Sequence, residues 1–157
     1  MTSLRDAAEE FLAQHHIAVA GVSRDEKQPA NLIYRRLRDT GHDVYAVNPN
    51  AEEVEGDACY AHVTDVPVAL DGIVVVTAPD VADRVVAEAH AAGVPRVWLH
   101  RGLGAGSSSQ TAVDFCTEHG MAVIPGGCPN MFGDTCDPGH ACMRVLLQLS
   151  RKIPREV

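Results

Sequence analysis

Residues 17–23 read Ile-Ala-Val-Ala-Gly-Val-Ser, and their reading decides the fold. Four apolar residues in an extended run stop at Gly21, where an α/β chain leaves a strand and turns toward a helix. Such a turn directs backbone N–H groups at an anion, a phosphate above all. The next β-run, Val44-Tyr45-Ala46-Val47, closes on Asn48-Pro49. In NAD-binding enzymes an acid at that strand end holds the ribose hydroxyls. Asn48 stands in its place, so the pair of strand ends points to a nucleotide site that is not built for NAD.

Outward from this stretch, apolar runs alternate with helical patterns. An opening helix over Leu4–Gln14 precedes the first strand, Ile17–Gly21. A helix starts near Pro29, a good first-turn residue, and runs to Thr40-Gly41. Strand two is Asp43–Val47, and Cys59-Tyr60-Ala61 supplies a short edge strand. Ile73-Val74-Val75-Val76 is a continuous β-branched run, as expected of a strand buried on both faces. A helix from Val81 to Ala92 leads to a strand over Val94–Leu99, a loop over Gly104–Ser109, a helix over Thr111–His119 and a last strand over Met121–Ile124. The final helix, His140–Leu149, is expected to pack back through Met143, Val145, Leu146 and Leu149. The succession predicts one Rossmann-like, doubly wound, mostly parallel α/β domain in three layers, over residues 1–157, with strand order 3-2-1-4-5-6. Its core covers residues 15–130, and the C-terminal helix covers 138–150. Ligands of such sheets bind outside the carboxyl ends of the strands.

Composition bounds the function. The 157 residues suffice for one real core, and 46% hydrophobic content with only 4% aromatics predicts an interior of Ala and Val. A net charge of −8 excludes a nucleic-acid backbone partner, which demands a basic face, so a phosphate must be met locally. Residues 1–14 are charged and amphipathic, unlike a signal peptide, and no stretch approaches the length of a membrane span. These features predict a soluble cytoplasmic protein without a membrane partner. Five cysteines in irregular spacing fit a reducing compartment.

Five segments share the expected rim: Gly21-Val22-Ser23, Asn48-Pro49-Asn50, Thr77-Ala78-Pro79, His100-Arg101-Gly102 and the run Pro125-Gly126-Gly127-Cys128-Pro129-Asn130. Small and turn-forming residues gathered there leave backbone groups open to a ligand. In order and spacing, Ala20–Ser23, Val47–Pro49, Thr77–Pro79, Trp98–Gly102 and Ile124–Asn130 resemble the motifs of the small bacterial CoA-binding proteins. These are stand-alone relatives of the CoA-binding domain of the succinyl-CoA synthetase α subunit. The resemblance covers residues 15–130 and implies coenzyme A or an acyl-CoA as ligand. It places the pyrophosphate on the loop from Gly21 to Lys27 and adenine near Asn48–Asn50 and Thr77–Pro79. The pantetheine arm then runs toward Cys128. First to last strand is three spacings, roughly 14 Å, and a dozen chain atoms span about the same length.

The departures are specific. The synthetase domain has a lysine soon after the strand-two Pro, where this chain has Asn50-Ala51-Glu52-Glu53. Arg24 and Lys27 are the cations near the phosphate loop. The synthetase's catalytic histidine lies in a second domain without a counterpart in these residues, so the resemblance implies binding without ligase activity.

Several residues keep two readings. Ser23 either meets the ligand or caps the turn after strand one, and Asn48-Pro49 is either a contact or an ordinary turn. Cys116 and Cys59 read as packing residues. Cys128, between a Gly-Gly turn and a Pro, is either an inert thiol or the partner of CoA in a mixed disulfide. Cys128, Asp134, Cys136, Asp137, His140 and Cys142 invite a metal, but Cys-x7-Cys and Cys-x5-Cys are not the spacings of structural zinc sites. Asp137-Pro138 reads more simply as a helix cap and first turn. Two other functions remain: a CoA-dependent enzyme with Cys128 as nucleophile and His140 as base, or a nucleotide-sensing regulatory module, against which the missing acid and the absence of a DNA-binding segment count. Met131-Phe132 is an apolar pair that offers a homodimer contact.

Overall fold

The computed structural model describes residues 2–102 and 106–157. Seven strands are described: β1 (His16–Ala20), β2 (Asp43–Val47), β3 (Glu53–Val54), β4 (Asp57–Tyr60), β5 (Gly72–Val75), β6 (Arg96–Leu99) and β7 (Ala122–Ile124). They form one sheet in the order β3-β4-β2-β1-β5-β6-β7. Every pairing is parallel except β3 with β4. The expected order is therefore found, with one antiparallel strand added beyond the expected edge. That strand exists because Glu55 and Gly56 both take positive φ, 54° and 79°. Two successive left-handed residues make the tight hairpin turn whose twist matches paired strands. Glu55 holds this conformation because its carboxylate, 6% exposed, is anchored by Arg35 Nη1 and Asn31 Nδ2, each at 2.7 Å.

The helices are α1 (Leu4–Leu12), α2 (Pro29–Asp39), α3 (Pro79–Ala91), α4 (Gln110–Glu118) and α5 (Pro138–Leu149). α2, α3 and α5 each start on a proline, whose missing N–H costs nothing in a first turn. Asp137 caps α5 by accepting from the His140 N–H, as the sequence indicates. Alternation along β1 sorts the layers. Ile17 and Val19 join α1, α2 and α5 on one face, with Leu4, Phe11, Ile33, Leu37 and Leu147. Ala18 and Ala20 join α3 and α4 on the other, with Ala82, Val86, Ala89, Ala112 and Cys116. Alanines face alanines across this second layer, which is what so few aromatics allow.

Two expectations are corrected on the first face. Met131 and Phe132 are 0% and 2% exposed, so they are core and offer no homodimer contact. A short 3₁₀ turn at Pro129–Met131 folds them under, and the Phe132 ring meets Trp98 at 5.7 Å between centroids. On α5, Val145, Leu146 and Leu149 are exposed, and Leu147 is the buried residue. Arg144 sets this rotation: its Nη1 donates to the Met131 carbonyl at 2.9 Å, and its guanidinium lies 5.2 Å from the Phe132 ring centroid. Part of the expected loop over Gly104–Ser109 lies outside the described residues. Cys116 is buried in α4 and Cys59 half-buried on β4, in their expected packing positions.

Gly21 joins the strand ends. Its φ is +103°, and a Cβ there would lie 2.1 Å from the Val76 carbonyl oxygen. Gly21→Ala is therefore expected to destabilise the protein by roughly 3 kcal/mol or more, through overlap and strain together. Gly41, at φ +94° with nothing within 4 Å of a built Cβ, separates the two effects. Gly41→Ala should cost only roughly 1 kcal/mol. Urea unfolding of both variants checks the difference, and equal losses would mean that contact with Val76 is not the constraint.

Candidate functional site

Five strand ends meet on the carboxyl rim of the sheet, and two cavities open there. The larger, about 570 Å³, is bounded by Lys27, Pro29 and Ile33 from the α2 side, Val76 and Thr77 after β5, His100 and Gly102 after β6, and Cys128, Asn130 and His140 beyond β7. The smaller, about 210 Å³, is bounded by Gly21, Asn48, Pro49, Asn50, Thr77, Arg84 and Glu88 among others. Thr77 borders both.

The loop after β1 is stitched by its own side chains. Asn31, 0% exposed on α2, accepts from the Ser23 N–H at 3.0 Å and donates to the Ser23 carbonyl at 2.7 Å. Its amide also reaches Glu55, so one buried side chain ties the loop to the β3–β4 turn. The Ser23 hydroxyl accepts from the Asp25 N–H at 3.2 Å, which is the turn-capping reading. Asp25 accepts from the Gln28 amide and the Lys27 N–H, and those bonds hold its carboxyl below the usual range. Val22 is fully buried core. Arg24 is exposed and borders neither cavity, whereas Lys27 borders the larger.

Asn48 spends both ends of its amide inside the protein. Nδ2 donates to the Val22 carbonyl and Oδ1 accepts from the Asn50 N–H, each at 2.9 Å. The first of these bonds ties the turn after β2 to the loop after β1, while Asn48, Pro49 and Asn50 together border the smaller cavity. Thr77 is fixed by Ser107, which accepts from the Thr77 N–H at 2.7 Å and donates to its carbonyl at 2.6 Å. Ala78 caps α3 and Pro79 opens it, and neither borders a cavity.

Burial sets the chemistry of the larger cavity. His100 is 9% exposed. Desolvation, with the charge of His140 second, pulls its imidazole down to about 4. Cys128 is 4% exposed, not open at the rim as its flanking turn suggests. Desolvation pushes its thiol up to about 12, opposed by a hydrogen bond from the Asn130 backbone. Burial thus favours the uncharged form of both side chains at neutral pH, which counts against Cys128 as the thiolate of a mixed disulfide or as an activated nucleophile. No hydrogen bond joins Cys128 to His140 among the described residues. His140 Nδ1 instead lies 2.6 Å from Asp137 Oδ2. Arg101 pairs with Gly127 through the backbone, borders neither cavity, and has a buried Nε without a partner among the described residues.

Asn130 is the residue that sequence reasoning quoted without assigning. It is 0% exposed and borders the larger cavity, and neither end of its side-chain amide has a hydrogen-bond partner among the described residues. Leaving such a group unpaired costs about 1–3 kcal/mol, a cost that a ligand with both a donor and an acceptor removes. Asn31, Arg84 and Ser107 were missed because they lie on helices or in a loop whose facing depends on tertiary packing. The three-ligand group of metal-binding side chains that converges among the described residues is His15, His16 and Asp43, not the Cys/His set at 128–142.

A family model for the CoA binding domain matches residues 15–134, which takes in β1 through β7 and every segment of the rim. The chain belongs to the CoA-binding domain family. Acetate–CoA ligase [ADP-forming] I of Archaeoglobus fulgidus is 35% identical over 72 residues, 46% of this chain and 10% of the relative. The α subunit of acetate–CoA ligase [ADP-forming] II of Pyrococcus furiosus is 26% identical over 125 residues, 75% of this chain and 27% of the subunit. The chain thus spans about a tenth to a quarter of these curated relatives. A hypothetical protein from Pyrococcus horikoshii superposes with a TM-score of 0.74 at 28% identity, covering 80% of this chain and 86% of that one. No helix among the described residues of this CoA-binding domain is long and apolar enough to cross a membrane.

The His100 shift makes stability depend on pH. Below pH 6.5 the unfolded chain takes up a proton at this imidazole that the folded domain refuses until about pH 4. Stability should therefore fall as pH drops through that window, by up to about 3 kcal/mol. Urea titrations at pH 7 and pH 4.5 check this: His100→Gln should lose clearly less stability than wild type between the two. Equal losses would show that His100 titrates normally.

Proposed function

We propose that this domain binds coenzyme A or an acyl-CoA, with the adenosine in the smaller cavity and the pantetheine arm in the larger. The supporting observation is a divided site on the carboxyl rim whose two cavities share Thr77 beside the Gly21 loop. A ligand with a compact nucleotide end and a long arm suits such a division. The residues proposed to surround it are Gly21, Ser23, Lys27, Asn48, Pro49, Asn50, Thr77, His100, Gly102 and Cys128. The uncharged Cys128, His100 and Asn130 of the larger cavity suit an uncharged arm, and an arm amide offers Asn130 both the donor and the acceptor it lacks. A protonated Cys128 favours holding the ligand over attacking it. NAD is disfavoured because Asn48 offers its ribose no acid.

Isothermal titration of the reduced protein with CoA, acetyl-CoA and NAD tests the proposal. CoA species should bind and NAD should give no heat. Absence of heat with every CoA species would overturn the reading. A second measurement addresses the thiol. Peptide mapping after brief iodoacetamide treatment at pH 7.5 should find exposed Cys142 alkylated and Cys128 spared, since a buried thiol pushed up to about 12 is almost wholly protonated at that pH. Rapid alkylation of Cys128 would restore the nucleophile reading.

A further inference from the structure

The smaller cavity is bordered by a cation that the sequence does not single out. Arg84, in the second turn of α3, borders the smaller cavity. Neither Arg24 nor Lys27 does. Arg84 is exposed and forms no ion pair among the described residues. Arg5, Arg35, Arg36, Arg38 and Arg96 each pair with a carboxylate, and of the arginines without such a pair among the described residues Arg84 is the one that borders this cavity. The carboxylate bordering the same cavity is Glu88, one turn further along α3. It is already engaged: Oε1 lies 3.0 Å from His62 Nδ1, and Oε2 accepts from the Val63 N–H at 3.2 Å. Arg before Glu at i, i+4 is also the weaker order for a helical pair. Asp83, the adjacent acid, accepts from the Ser109 hydroxyl. A guanidinium is thus left without an ion-pair partner at the border of the smaller cavity, and its planar fork matches two oxygens of a phosphate.

We propose that Arg84 recognises the 3′-phosphate of CoA. This rests on the CoA reading and adds to it the residue that separates CoA from ligands lacking that phosphate. Arg84 contributes charge and direction at the ribose end, while the pyrophosphate stays with the Gly21–Lys27 loop.

The test is titration of wild type, Arg84→Gln, Arg84→Lys and the double variant Arg24→Gln/Lys27→Gln with CoA and with 3′-dephospho-CoA. Wild type should prefer CoA by roughly tenfold or more, the scale of hydrogen bonds to a charged group. Arg84→Gln should lower CoA affinity to the level of dephospho-CoA and leave dephospho-CoA within about twofold of wild type. Arg84→Lys should keep part of the preference, and the double variant should keep the preference itself. If Arg84→Gln retains the preference, or weakens both ligands equally as stacking on the base would, the assignment is overturned while CoA binding stands. If neither ligand binds wild type, the CoA reading fails and this assignment with it. Circular dichroism of each variant confirms the fold.

Discussion

The contact between Gly21 and the Val76 carbonyl is the constraint on which the site depends. Only a residue without Cβ can pass at that distance with φ at +103°. The Gly21 N–H donates to the Val47 carbonyl at 3.0 Å, so the same residue also closes the seam with β2. Three strands therefore end together at one point, and the chain leaving Gly21 must rise between the other two ends. Space opens on either side of that exit, and Thr77, directly after Val76, borders both openings. The packing beneath permits this. Ala18 and Ala20 under Ala82 and Ala89 let α3 lie close to the sheet, which brings its first turns level with the strand ends.

A buried polar network carries the constraint into the loop. Asn31 could be satisfied only by backbone and carboxylate, since it sits at 0% exposure inside α2. It holds Ser23 from both sides and anchors Glu55, whose positive φ makes the edge hairpin. Loop, helix and hairpin thus share one amide, and Arg35 neutralises the carboxylate at its end. A fully partnered network of this kind rigidifies what it joins. The loop is ordered before any ligand arrives, so less conformational entropy is lost on binding.

Most of the fold was legible because its signals are local. The β-branched run at 73–76, the apolar run ending at Gly21 and the prolines at 29 and 138 each state a strand, a turn or a helix start on their own. What was not legible depends on which way a face turns. On α5, four apolar residues fit a helical stripe by letter, but Arg144 reaching the Met131 carbonyl and the Phe132 ring rotates Leu147 inward and leaves three of them outside. Met131 and Phe132 carry no period that distinguishes core from surface, and a 3₁₀ turn decided the matter. β3 was hidden because its turn begins with Glu, whose left-handed conformation is secured by partners twenty and twenty-four residues away. The site follows the same division. Gly21, Asn48, Thr77, His100 and Cys128 end strands and were readable, whereas Arg84 and Asn31 project from helices toward strand ends.

Desolvation explains why the two halves of the site differ in kind. In the larger cavity it raises the Cys128 thiol and lowers the His100 imidazole, two groups of opposite charge type driven to the same neutral state. Asn130 adds an uncharged group with unmet hydrogen-bonding capacity. A charged ligand group placed among these three would bear the same desolvation cost that keeps them neutral. The smaller cavity lies at the start of α3, where the exposed Arg84 has no ion-pair partner among the described residues. Each cavity thus has one exposed cation at its border, Arg84 on the smaller and Lys27 on the larger, and the buried uncharged groups belong to the larger. A ligand that carries its phosphates on a nucleotide and leaves a neutral amide arm beyond them could set the phosphates against these cations and the arm against the uncharged groups, and this match is the physical ground for the proposal that the two cavities act as one site.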